Sequence, residues 1–152
     1  VPLSIVLVEP EIPGNTGAIG RTCVALGAEL VLIHPLGFVL SDARVKRSGL
    51  DYWPHVRLTE FADWDAFVRE RAPRADQLFL FEEHASASFY DPEYPEDAML
   101  VFGKETTGIP EAIWRRYPGR QFHLPMRSDK IRSLNLANTV AAAAYQALRG
   151  TF

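Results

Sequence analysis

Three loop segments hold the residues whose types and spacing could do chemistry. The first runs from Glu9 to Arg21, the second is Gly103-Lys104-Glu105-Thr106-Thr107-Gly108-Ile109-Pro110, and the third is Arg132-Ser133-Leu134-Asn135-Leu136-Ala137-Asn138. Each follows a stretch of strand character, and in a parallel α/β sheet ligands gather at the carboxyl ends of strands. In the third loop, Ser133, Asn135 and Asn138 can cap an Ala-rich terminal helix running to about Arg149. Free backbone N–H groups at such a first turn can equally hold a ligand. In the second, Gly103 permits close backbone approach to a ligand, and Gly108 with Pro110 fixes the exit. Glu105 there either orients a partner or caps the short helix that follows. In the first, Asn15 or Thr16 is placed to cap a helix, and Gly14, Gly17 and Gly20 are turn and packing glycines. Arg21 falls one helical turn after Gly17, as either a surface ion pair or an anion anchor.

Other chemistries lack their residues. Neither G-x-G-x-x-G nor G-x-x-x-x-G-K-[ST] occurs, and no G-x-S-x-G elbow appears. His34, His55, His84 and His123 are scattered without helical pairing or a cysteine cluster, so no metal site is expected. The single cysteine, Cys23, cannot form an internal disulfide and reads as a buried, inert thiol. Glu82 and Glu83 are adjacent, and at a strand end they would point to opposite faces.

The elements that must position these loops follow from periodicity. Leu3 to Val8, apolar except for Ser4, is suited to a buried parallel strand. Ile19, Cys23 and Leu26 recur at helical spacing up to Gly27, and Glu29 to Ile33 is a second strand. Ser41-Asp42 opens a short helix ending near Gly49, and Val56 to Leu58 is a short strand. Asp63 to Arg71 is an amphipathic helix with Trp64, Phe67 and Val68 on one side. Gln77 to Phe81 is a strand, Ala85 to Asp97 a loop, Ala98 to Phe102 a strand and Gln121 to Leu124 the last strand. Pro110 suits the first turn of a short helix. This alternation predicts one α/β domain over residues 1–152, a mostly parallel sheet flanked by helices.

A chain of 152 residues with 47% hydrophobic and 23% charged residues can bury a real core, and a cytoplasmic location is expected. No apolar run approaches the roughly 18 residues that a membrane span requires. The net charge of −3 argues against a protein coated in basic surface. Local clusters still supply phosphate contacts whatever the sum, and three stand out: Arg44, Lys46 and Arg47; Arg115, Arg116 and Arg120; Arg127, Lys130 and Arg132.

In this order and at these positions, the three loops resemble those of the knotted SPOUT-class RNA ribose 2′-O-methyltransferases. The nearest resemblance is to the minimal enzymes that act on the tRNA wobble cytidine or uridine. It is carried by Glu9-Pro10-Glu11-Ile12-Pro13-Gly14-Asn15-Thr16-Gly17 with Arg21-Thr22-Cys23, and by Gly37-Phe38 with Lys46-Arg47-Ser48-Gly49-Leu50-Asp51-Tyr52. It continues through Leu100-Val101-Phe102-Gly103 to Pro110, and through Leu124-Pro125-Met126 to Asn138. The resemblance implies a C-terminal trefoil knot, an obligate homodimer and S-adenosylmethionine as cofactor, leaving as S-adenosylhomocysteine. It places cofactor-binding positions at Phe81, Gly103, Leu124 and Ser133, the catalytic arginine at Arg21, and its paired glutamate and asparagine at Glu105 and Asn135. Lys46, Arg47, Arg127 and Lys130 are candidates for phosphates of a tRNA anticodon stem-loop. One departure is Glu82-Glu83-His84, where related sequences tend to carry small hydroxyl residues. The same chemistry at another tRNA or ribosomal RNA position, or a non-catalytic RNA-binding module of this fold, are the alternatives.

Overall fold

Residues 2–41, 43–47 and 52–152 are described by the structure, a computed structural model. Its centre is β1 (Ser4–Val8), buried at every residue. β1 pairs in parallel with β2 (Glu29–Ile33) on one side and with β6 (Met99–Phe102) on the other, so that Val6 lies between Val31 and Val101. β3 (Arg57–Phe61) continues beyond β2, while β4 (Leu78–Phe81), β7 (Gln121–His123) and β5 (Ala87–Ser88) continue beyond β6. The seven strands, ordered β3-β2-β1-β6-β4-β7-β5, pair only in parallel.

Strand periodicity divides the core between two faces. Ile5, Leu7, Leu30, Leu32, Phe79, Phe81, Leu100 and Phe102 face one layer, with Ile19 and Cys23 of α1 (Pro13–Leu26) and Val140, Ala143 and Ala144 of α5 (Leu136–Ala147). Val6, Val8, Val31, Ile33, Leu78, Leu80, Met99 and Val101 face the other, with Trp64 and Phe67 of α3 (Trp64–Arg71) and Ile113 and Trp114 of α4 (Glu111–Trp114). Both faces are covered, which is why the central strands β1, β2, β4 and β6 read as nearly unbroken apolar runs. Among the described residues, no helix is long and apolar enough to cross a membrane.

Local signals explain most boundaries. Gly27 adopts φ 66° and closes α1, and the Asp63 carboxylate caps α3 by accepting from the Ala66 amide at 2.8 Å. Gly20 lies against Trp53, whose ring a Cβ there would meet at 2.7 Å. The edge strand β3 is longer than expected. Its Thr59 joins the bidentate Arg71–Glu29 pair, donating to the Glu29 carboxylate at 2.8 Å. The loop expected from Ala85 to Asp97 contains β5, whose two residues are too short to carry a period. A short helix, α2, occupies Ala43–Arg47; the expected ends at Asp42 and Gly49 lie outside the described residues. The expected caps of α1 are also revised: the helix begins at Pro13, so Asn15 and Thr16 lie inside its first turn.

Cys23 is fully buried, and burial pushes its thiol up to about 12. Iodoacetamide at pH 8 should therefore leave native protein unlabelled over an hour and modify one site after denaturation, read by intact mass. Rapid labelling of folded protein would contradict this packing.

Candidate functional site

Strand order reverses beside β1 and β6, and ligands in such sheets settle in the crevice beyond that switch. The segments after β1, β4, β6 and β7 surround a cleft of about 690 Å³ there, within the range that holds a nucleoside-sized ligand. One wall is apolar: Phe81 and Phe102 stack at 4.9 Å and 10°, and Leu124, Met126, Leu134 and Leu136 continue it. Glu82, Glu83, His84, Ser133 and Asn135 supply polar groups.

The loops around it are fixed by long-range hydrogen bonds. Ile12 caps α1 without a side-chain bond, and Glu105 makes good that lack. Its carboxylate accepts from the backbone N–H of Glu11 at 2.9 Å and of Ile12 at 3.0 Å, and from Asn15 Nδ2 at 3.1 Å. An anion at a helix N-terminus meets unsatisfied donors and the positive end of the helix dipole. The contact is reciprocal, because Glu11 accepts from the Thr106 amide at 3.0 Å and from its hydroxyl at 2.7 Å. Those bonds hold the Glu11 carboxyl below the usual carboxylate range. Asn15 then carries the frame to the third loop, its Oδ1 accepting from Asn135 Nδ2 at 3.1 Å. Asn135 Oδ1 accepts from the Ala137 and Asn138 amides at 2.9 and 3.3 Å and so caps α5. Arg132 Nη2 donates to the Thr106 carbonyl at 3.0 Å, a further tie between the third and second loops.

Gly103 is required by close backbone approach. The Lys104 and Gly108 backbones pair across the turn, and a Cβ on Gly103 would lie 2.0 Å from both Gly108 C and Ile109 N. Glu82 lies at the end of β4 and accepts from the Ile109 amide, while Glu83 lies 4.0 Å from Arg132. The two do not part to opposite faces as expected, because β4 ends at Phe81 and both line the cleft. Desolvation raises the Glu82 pKa, against the lowering effect of the Ile109 amide.

The structure brings Phe81, Gly103, Leu124, Ser133, Glu105 and Asn135 together on this cleft. Arg21 is not among the lining residues; it is exposed, and its guanidinium lies 5.1 Å from the centroid of the Tyr52 ring. Tyr52 in turn donates to the Gly17 carbonyl at 3.4 Å, so one aromatic residue spans a turn of α1. Neither Glu105 nor Asn135 hydrogen-bonds Arg21 among the described residues. Arg127 and Lys130 are exposed between β7 and α5, whereas the side chains of Lys46 and Arg47 lie outside what is described. The bridging role of Asn15 was hidden in the sequence, where only its capping chemistry is visible. That of Glu82 was signalled only by its departure from small hydroxyl residues.

The cleft fits an adenosyl cofactor on two structural observations. It pairs stacked rings with polar groups, and His123 Nδ1 on its lining is a buried polar atom with no partner among the described residues. Fold and cleft define an α/β domain that takes a small ligand at the carboxyl ends of its central strands. The chain belongs to the SpoU rRNA methylase family, whose family model matches residues 2–145. It is 46% identical over 147 residues to the tRNA (cytidine(34)-2′-O)-methyltransferase of Burkholderia cenocepacia (strain HI2424), covering 96% of this chain and 94% of that one. A protein of the same name from Polaromonas sp. is 40% identical over 147 residues, covering 96% and 89%. A solved structure described as giving insights into 2-OH methylation of C/U34 on tRNA has a TM-score of 0.91 at 46% identity, covering 98% and 95%. The SpoU methyltransferase AviRb from Streptomyces viridochromogenes, in complex with the cofactor AdoMet, has a TM-score of 0.81 at 26% identity, covering 99% and 60%.

Two substitutions test the frame. Glu105→Ala removes the acceptor of three donors and should cost about 2 kcal/mol, lowering Tm by roughly 5 °C in differential scanning calorimetry. An unchanged Tm would refute the capping role. Gly103→Ala should force the turn apart, so that the Lys104 and Gly108 amides exchange with deuterium at least about tenfold faster, while amides of β1 stay protected.

Proposed function

We propose that this protein methylates the ribose 2′-OH of the wobble nucleotide, cytidine or uridine at position 34 of tRNA, using S-adenosylmethionine. The observation that carries the reading is the cleft itself, framed by Glu105, Asn15 and Asn135 within a chain so similar along its length to enzymes of that name. In this reading Phe81, Gly103, Leu124 and Ser133 hold the cofactor, which supplies a sulfonium-activated methyl group. The whole of residues 1–152 acts as one domain, and the segment from Leu124 to Asn138 forms part of a trefoil knot.

A ribose hydroxyl is a poor nucleophile, so the protein must align it and help remove one proton. Arginine stays protonated and is a poor base. Arg21 instead holds an RNA phosphate beside the 2′-OH and stabilises developing alkoxide charge. Glu105 and Asn135 keep the loops on which the ribose is aligned. Because Arg21 lies off the cleft of its own chain, its exposed position favours a homodimer in which a second copy brings the arginine to the site. Arg127 and Lys130, with Lys46 and Arg47, contact phosphates of the anticodon stem-loop, a local and salt-sensitive interaction.

Tritium transfer from labelled S-adenosylmethionine to bulk tRNA, followed by mapping of the modified nucleotide, tests the reading. Label at the 2′-O of nucleotide 34 is expected. Label elsewhere would support the same chemistry at another position, and failure to bind the cofactor by calorimetry would support a non-catalytic RNA-binding module. Arg21→Ala should lower turnover by about a hundredfold or more, with cofactor affinity changed by less than about twofold in that titration. Wild-type turnover in this variant would remove Arg21 from the mechanism.

A further inference from the structure

We infer that Glu82 determines ligand specificity in the cleft, its carboxylate taking hydrogen bonds from the vicinal hydroxyls of a bound adenosine ribose. The inference rests on the cofactor reading above and extends it to a residue which that reading leaves unused.

Glu82 follows β4 directly, at the carboxyl end of a central strand and beside the Phe81 ring of the apolar wall. Its Oε2 accepts from the Ile109 amide, and the carboxylate packs against the α-carbon of Gly108, which has φ 76°. A Cβ at Gly108 would lie 2.2 Å from Oε2, so glycine there is what admits the carboxylate. Oε1 accepts no hydrogen bond from the described residues. An ionised carboxylate has room for about four hydrogen bonds, and this one receives one from the described residues.

The charged groups around it do not fill the vacancy. Glu83 and His84 follow it in sequence, and Arg132 approaches from the third loop. Arg132 is engaged with the Thr106 carbonyl and lies nearest Glu83, so Glu82 has no ion pair among the described residues. Burial raises its pKa, as expected of an acceptor taken from water without enough donors. A ligand with paired hydroxyls supplies such donors without bringing a second charge that must itself be desolvated. Carboxylates at strand ends read ribose hydroxyls in the same manner in dinucleotide-binding sheets.

Calorimetry on the full chain separates the possibilities, using S-adenosylhomocysteine, 5′-methylthioadenosine, and the 2′-deoxy and 3′-deoxy forms of the latter. Methylthioadenosine keeps the ribose and has no amino-acid group. Wild-type protein should bind it about tenfold more tightly than at least one deoxy form. That ratio should fall to about one to two in Glu82→Ala. In Glu82→Gln, which retains an acceptor for the Ile109 amide and so protects the loop, the ratio should also shrink. A ratio unchanged in both variants would overturn the inference. So would variants that weaken only S-adenosylhomocysteine, since the carboxylate would then be reading its ammonium group. If wild-type protein binds none of these ligands, the cofactor reading itself fails; if it binds them all with no dependence on Glu82, only this inference does.

Discussion

The site depends on one carboxylate that sits far in sequence from the groups it satisfies. α1 starts at Ile12 and Pro13 with no side chain of its own to meet its first amides. Glu105 crosses from the β6 loop to accept from the Glu11 and Ile12 amides that lead into the helix and from the Asn15 side-chain amide. A helix end left without partners costs free energy on each buried donor, so moving this cap would unsettle α1 and the β6 loop together. Since Asn15 is also bound to Asn135, the start of α5 shares the constraint. Three loops that the chain connects only through whole strands and helices are thereby held in one geometry.

That geometry explains the uneven chemistry of the cleft. The β6 turn is tight enough that Gly103 admits no side chain, and Gly108 gives Glu82 its place. The stacked and buried Phe81 and Phe102 rings make part of the cleft's lining apolar. Polar groups that remain there are either spent on the frame, as Glu105 and Asn135 are, or short of partners, as His123 Nδ1 is. A wall that is apolar, with a few polar atoms wanting partners, suits the nucleoside part of a ligand.

Much of the fold was legible because burial on both faces leaves a strong mark on sequence. Leu3 to Val8 is apolar except for Ser4 and Ala98 to Phe102 is apolar throughout, and Gly27 and Asp63 mark helix ends by local chemistry. β5 was not legible, since two residues paired to Phe122 and His123 have no pattern of their own. The site was legible as three loops, but the bonds joining them were not. Asn15 carries the same capping chemistry whether it caps α1 or bridges Glu105 to Asn135, and only the fold decides between them. The same holds for Glu82, whose partner amide lies 27 residues away.

The distribution of cations completes the division of labour. Those nearest the cleft are engaged: Lys104 lies 3.4 Å from Glu9, and Arg132 binds the Thr106 carbonyl beside Glu83. Glu105 has spent its charge on amides and so does not neutralise Arg21, which keeps its guanidinium exposed against Tyr52. Arg127 and Lys130 are likewise exposed and form no ion pair among the described residues. In the proposed reading, a chain of net charge −3 need not attract RNA over its whole surface. It needs unspent cations at a few exposed positions, and a cleft whose frame is held by Glu105 and Asn135 while Glu82 keeps acceptor capacity for a ligand.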